Sequence, residues 1–211
     1  AIHVPEAGIV DYKAVCRRLA DRITERGGTI RLSCRVTGIE HRPDEVVLRT
    51  NQGDMTTKLL VTCGGLQADR LTSLSGQTPV APIVPFRGEY FILKEPAEHL
   101  CQTMIYPTPD PRFPFLGVHF TRTIEGHVEC GPNAVLAYKR EGYSKLDLNI
   151  RDLGESLFYS GFIKLAVRSW KTGLGELWRS FNKKAFVRAL QKLVPGITAS
   201  DLIPAPSGVR A

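Results

Sequence analysis

With 211 residues, 43% of them apolar and 23% charged, the chain has the composition of an ordinary globular protein, long enough for one large or two small domains with a sizeable core. Its formal charge of +7 reads as spread along the length, a solvated surface first and a lure for anions second, and the interleaving of aromatic and basic residues that single-strand binders need is not evident, which leaves nucleic acid out. No run of about eighteen apolar residues occurs, so no membrane-spanning helix is predicted, and the first residues lack the basic start and apolar stretch of a signal peptide.

Asp11 caps a predicted helix whose apolar positions Val15, Leu19 and Ile23 recur every fourth residue, and Gly27-Gly28 stops it. Short β-rich runs follow at 29–33, 36–41 and 45–50, then a turn over 51–54 and a strand ending at 59–63. Gly64-Gly65 opens a second helix over 66–74, closed by Gly76, so the first part reads as an α/β layer. From 79 to 135 prolines separate β-type segments at 83–93, 115–121 and 127–130, the pattern of a mostly antiparallel sheet. Residues 147–193 are helical in pattern and rich in Lys and Arg, Pro195-Gly196 ends them, and a short strand around Leu202-Ile203 leads to Gly208-Val209-Arg210. The chain starts without Met and stops just past that run, so a piece of a longer protein is expected. Five widely spaced cysteines with no C-x-x-C pair argue against a disulfide framework and point to a reducing compartment, and no His spacing suits a metal.

Gly173-Leu174-Gly175 begins like a dinucleotide motif, but the sixth position is Trp178 and no strand precedes it. P-loop and G-x-S-x-G motifs are missing, so the chemistry falls to Arg, His and Tyr of the middle sheet. Strand alternation there puts Gly117, His119 and Thr121 on one face and Val118 and Phe120 on the other. Arg87, Arg122 and Arg210 offer planar forks to the carboxylates of a small diacid, or are surface charges and ion pairs. His119 is either a general base for a substrate hydroxyl or a hydrogen-bonded structural residue. Tyr90 and Tyr106 are ligand donors or packed aromatics with a wet tip.

The strings His3-Val4-Pro5, Pro85-Phe86-Arg87-Gly88-Glu89-Tyr90-Phe91, Phe113-Pro114-Phe115-Leu116-Gly117-Val118-His119-Phe120-Thr121-Arg122, Gly131-Pro132-Asn133-Ala134-Val135 and Gly208-Val209-Arg210-Ala211 resemble the L-2-hydroxyglutarate dehydrogenase/oxidase family of D-amino-acid oxidase-like flavoproteins. The resemblance covers nearly the whole chain and implies an α/β fold of mixed α+β character. It comprises part of an FAD-binding parallel-sheet domain (1–78), a substrate-binding domain with a mainly antiparallel sheet and covering helices (79–196), and a return to the FAD-binding domain (197–211).

It implies oxidation of L-2-hydroxyglutarate to 2-oxoglutarate with FAD. His119 is the expected base, Arg210 the clamp for the C1 carboxylate, Arg87 or Arg122 the clamp for the distal one, and Tyr106 an orienting donor. Arg87, His119 and Arg210 are thus expected around one hollow. Val36, Cys63, Gly64, Gly65, Ser207, Gly208 and Val209 match cofactor-binding positions. The family's N-terminal G-x-G-x-x-G has no counterpart in these 211 residues, so the piece alone is expected to be inactive and to hold FAD weakly or not at all. A related amino-acid or other 2-hydroxy-acid oxidase stays open as the alternative, as does an inactive module binding a membrane or partner. The implied partners are a small dicarboxylate and a membrane surface or quinone. The location is cytoplasmic, peripheral on the inner face of the membrane, or mitochondrial in a eukaryote.

Overall fold

The computed structural model describes residues 2–109 and 116–211. The chain forms two compact units, 1–81 and 82–211.

In the first unit, helix α1 (Tyr12–Glu25) starts where Asp11 accepts a 3.0 Å hydrogen bond from the Ala14 amide, which satisfies one of the otherwise orphaned first-turn donors. Its stripe of Val15, Leu19 and Ile23 is in place but stays exposed, and the helix has no buried residue. Strands β1 (Val36–His41), β2 (Val46–Thr50) and β3 (Met55–Thr57) make an antiparallel meander in the order β1-β2-β3. The strand expected over 29–33 does not form. That stretch turns instead at Ser33, whose φ is 55°, and the Asn51 side chain ties it down by donating to the Ser33 carbonyl and accepting from the Arg35 amide. Nor is 59–63 a strand: it finds no ladder partner among the described residues, and Leu59 and Val61 stay exposed. A 3-10 turn (Gly65–Gln67) then leads into α2 (Ala68–Leu74).

The second unit is built on β4 (Phe86–Leu93). Along one edge β4 pairs with β6 (Val128–Gly131) and then β7 (Val135–Leu136); along the other it pairs with β8 (Leu202–Arg210). β5 (His119–Arg122) extends the sheet beyond β6, and every pairing is antiparallel, as the turn-rich sequence implied. The last residues, expected to return to the cofactor domain, run the length of this sheet as β8. Helices α3 (Ile150–Leu157), α4 (Ser160–Arg168), α5 (Trp170–Phe181) and α6 (Lys183–Leu190) follow; Asn149 and Asn182 cap α3 and α6. The glycine pair Gly173 and Gly175 lies inside α5, far from any strand-turn-helix context.

Alternation decides which sheet face is apolar. Leu93, Phe120, Val128 and Cys130 point to one side, where they meet Phe186, Val187 and Leu190 of α6 together with Val194, Ile197 and Leu202 in the buried core. The Phe91 and Phe186 rings meet edge to face at 4.8 Å. By contrast, α4 and α5 bury none of their residues and carry Val167, Trp170, Leu174, Trp178 and Phe181 exposed. Among the described residues no helix is long and apolar enough to cross a membrane.

Candidate active site

Residues opposite one another in an antiparallel ladder share a face, so the register sorts the side chains of the second unit. Cys130 opposes both Phe120 and Phe91 on the core side. The neighbours one step away, His119, Thr121, Glu129, Gly131, Tyr90 and Ile92, therefore line the other side. Phe86 opposes Arg210 and Gly88 opposes Gly208 across β8, which brings Arg210 to that same side. The result is a polar face carrying His119, Thr121, Glu129, Tyr90 and Arg210.

Tyr106 joins it. Ile105 bridges to Phe120 on the core side, so the next residue turns outward, and the Tyr106 ring stacks on His119 at 4.4 Å while its hydroxyl lies 3.1 Å from that of Thr121. His119 Nδ1 is 3.1 Å from the Gly117 carbonyl oxygen; if it carries the proton and donates there, Nε2 keeps its lone pair. Burial pushes the His119 pKa down, the bond to Gly117 opposes this, and the Arg210 charge adds to the lowering. A neutral imidazole with one nitrogen open to accept is the form a general base requires.

Arg87 and Arg122 are not on this face, so the expected hollow shared by Arg87, His119 and Arg210 does not exist. Arg87 projects to the core side of β4 and is 3% exposed. There it donates to Glu89 at 3.1 Å and to the Ser144 carbonyl at 3.0 Å. Glu89 also accepts from Asn133 and Ser180, both at 2.9 Å. This buried cluster ties the sheet to the end of α5, and its arginine is committed to structure. Arg122 opposes Val128, again on the core side, and lines a hollow with Glu98, His99 and Gln102. Both were chosen for their planar forks, and alternation along β4 and β5 puts them on the core side instead. Phe113-Pro114-Phe115 of the same motif lies outside the described residues. Tyr90 was weighed as a ligand donor but given no role, and Glu129 was not considered, although period-two counting from Gly88 and Gly131 puts both on the polar face.

A family model described as FAD dependent oxidoreductase (DAO) matches residues 1–211. The chain belongs to this family. It is 49% identical over 212 residues to L-2-hydroxyglutarate dehydrogenase of Indibacter alkaliphilus, covering 100% of this chain and 53% of that protein. It is 45% identical to the Escherichia coli (strain K12) protein of the same name and 42% to the human one, named L-2-hydroxyglutarate dehydrogenase, mitochondrial; the matches cover 100% of this chain and 50% and 48% of those proteins. The chain thus spans about half the length of the curated relatives it matches. In fold it is similar to L-alpha-glycerophosphate oxidase from Mycoplasma pneumoniae with FAD bound (TM-score 0.63, 15% identity, 92% of this chain, 42% of that one). Glycine oxidase from Geobacillus kaustophilus is similar too (TM-score 0.56, 16% identity, 93% and 41%).

For a DAO-family chain, the residues that can meet FAD are those with open backbone. Gly65 has φ +51° and nothing within 4 Å of where a Cβ would stand, so its peptide is accessible, whereas its neighbour Gly64 is filled by Leu71. Cys63 is exposed, and Val36 opens β1 half-buried opposite Thr50. In the second unit, Gly208 lies exposed between half-buried Ser207 and Val209, with only the Tyr90 ring near it, at 3.9 Å. Each of the two glycines, Gly65 in the first unit and Gly208 in the second, presents bare backbone. Among the described residues no three His, Cys, Asp or Glu side chains gather as a metal site.

Proposed function

We propose that the whole protein oxidises L-2-hydroxyglutarate to 2-oxoglutarate with FAD. The observation that carries this reading is the single face shared by His119, Tyr106 and Arg210, in a chain so similar to L-2-hydroxyglutarate dehydrogenases. When bound, FAD supplies the acceptor for the hydrogen leaving C2 as hydride. His119 Nε2 takes the hydroxyl proton, held in orientation by the Gly117 carbonyl and the Tyr106 ring. Arg210 engages the C1 carboxylate with its planar fork. With Arg87 and Arg122 on the far side of the sheet, this chain offers the distal carboxylate the hydroxyls of Tyr106 and Thr121. Residues 1–78 and the run Ser207-Gly208-Val209 serve the cofactor, and residues 79–196 serve the substrate. Mixing the FAD-loaded whole protein anaerobically with L-2-hydroxyglutarate should bleach the flavin and yield 2-oxoglutarate. Bleaching by an amino acid or another 2-hydroxy acid, and not by this one, sinks the assignment.

A second role, contact with an anionic membrane surface, is favoured by the helical arm. Residues 158–192 hold eight Lys and Arg against Glu176 alone, so the chain's +7 resides there and the remaining residues balance at twenty against twenty. The same stretch exposes Trp170, Trp178 and Phe181. Basic residues beside exposed aromatics suit a headgroup layer, and a membrane quinone suits such a placement as electron acceptor. Co-sedimentation with anionic but not neutral vesicles, lost on Lys164→Glu with Lys171→Glu, is expected; equal recovery from both vesicle types overturns it.

A further inference from the structure

One aromatic residue on the polar face stands apart from the core yet has a built seat. The Tyr90 ring lies across three strands at positions where each strand carries glycine. A Cβ on Gly131 of β6 would stand 3.2 Å from Tyr90 Cδ1, one on Gly88 of β4 3.4 Å from its Cε2, and one on Gly208 of β8 3.9 Å from the same atom. Gly131 is doubly required, since its φ is +140° and a Cβ would also press to 2.8 Å from the Glu89 carbonyl oxygen. With Cε2 over Gly88 and Gly208, the ring leans back along β4 toward the rung where Phe86 faces Arg210.

We propose that Tyr90 is a second carboxylate-holding residue, its ring fixed on the floor of Gly88, Gly131 and Gly208 so that its phenol O–H donates to the substrate carboxylate that Arg210 engages. The proposal deepens the oxidase reading and rests on it for the nature of the ligand, a 2-hydroxy acid. Three features support it. The seat consists of glycine backbone with the Pro132 ring beside it at Gly88, and the apolar core is on the opposite side of the sheet, so the ring is not there to fill that core. The charged and titratable groups that reach the phenol are Arg210, Glu129 and Tyr106, all on this face. Burial and the Glu129 charge raise the phenol's pKa against the pull of Arg210, so the hydroxyl stays protonated and remains a donor at physiological pH. A phenol held by ring packing gives up little freedom when it binds, which makes it an efficient hydrogen-bond donor.

Tyr90→Phe keeps the ring in its seat and removes only the hydroxyl. In the FAD-loaded whole protein, KM for the 2-hydroxy acid that reduces the wild-type flavin should rise about 10–100-fold, the range for a lost hydrogen bond to a charged group. The limiting rate of flavin reduction and the melting temperature should hold. Glutarate, which lacks the hydroxyl, should lose affinity by a similar factor as a dead-end ligand, read from its perturbation of the flavin spectrum. An unchanged KM, or a fall in rate and melting temperature together at constant KM, overturns the proposal. If the wild-type protein turns over some acid other than L-2-hydroxyglutarate, the substrate assignment fails while the Tyr90 comparison is still made with the acid that works.

Discussion

Tyr106 lies nearly flat on His119, with ring centroids 4.4 Å apart and planes 20° from parallel. Because the Tyr106 hydroxyl also meets Thr121, the imidazole is braced by a partner that is itself anchored on the same strand as His119. Tyr106→Leu keeps apolar bulk but loses both contacts, and a base set loose by even an ångström loses rate. The expected drop in flavin reduction is about 10–100-fold, seen by rapid mixing with substrate. His119→Gln, which removes the base itself, should cost about 10²–10⁴-fold. An equal, small effect from both changes would remove His119 from the proton transfer.

The pH profile follows from burial. His119 has its folded pKa held below the ordinary 6.5, so the imidazole stays neutral under mildly acidic conditions and the acid limb of kcat/KM should lie below 6.5. Stability takes the same sign. The unfolded chain binds the proton first as pH falls, so the contribution is whole above 6.5 and is lost on descending through the lowered folded value. Chemical denaturation at several pH values should show this loss in the native protein and less of it in His119→Gln.

Arg210 and Arg122 separate the two faces experimentally. Arg210→Ala should cost about 2–5 kcal/mol in kcat/KM if the carboxylate pair is desolvated, while Arg122→Ala should leave kcat/KM near its original value. A large loss at Arg122 with none at Arg210 would put the substrate on the other side of the sheet.

The Glu89 cluster is a stability device, not a catalytic one. Glu89→Ala leaves Arg87 buried with no carboxylate opposite, which costs about 3–5 kcal/mol by urea unfolding. Replacing both partners with apolar residues of similar volume should recover much of that loss. If the single variant unfolds like the wild type, Arg87 must find water or another acceptor on that side.

The fold was legible in the sequence where local rules decide it. Asp11 was read as a helix cap and is one, while the caps at Asn149 and Asn182 went unread inside a stretch taken only as helical, and the meander and antiparallel sheet follow from alternation and turn residues. The runs at 29–33 and 59–63 have β-type composition, but a strand also needs a partner, which no local pattern supplies. Of the candidate site residues, His119, Tyr106 and Arg210 fall on one face of the sheet, whereas Arg87 and Arg122 were chosen for chemistry without counting which way each faces. The charge was misread as even because composition was taken over the whole chain, whereas 158–192 holds all of the excess.

Strand β4 gives its odd-numbered positions to adhesion, through Arg87, Glu89 and Phe91, and its even-numbered ones to the polar face, through Gly88 and Tyr90. Inserting or deleting one residue at its start would exchange the two inventories, burying a phenol among apolar rings and turning an ion pair out to solvent. A one-residue slip in β4 therefore disturbs both faces of the sheet at once, where a substitution disturbs one.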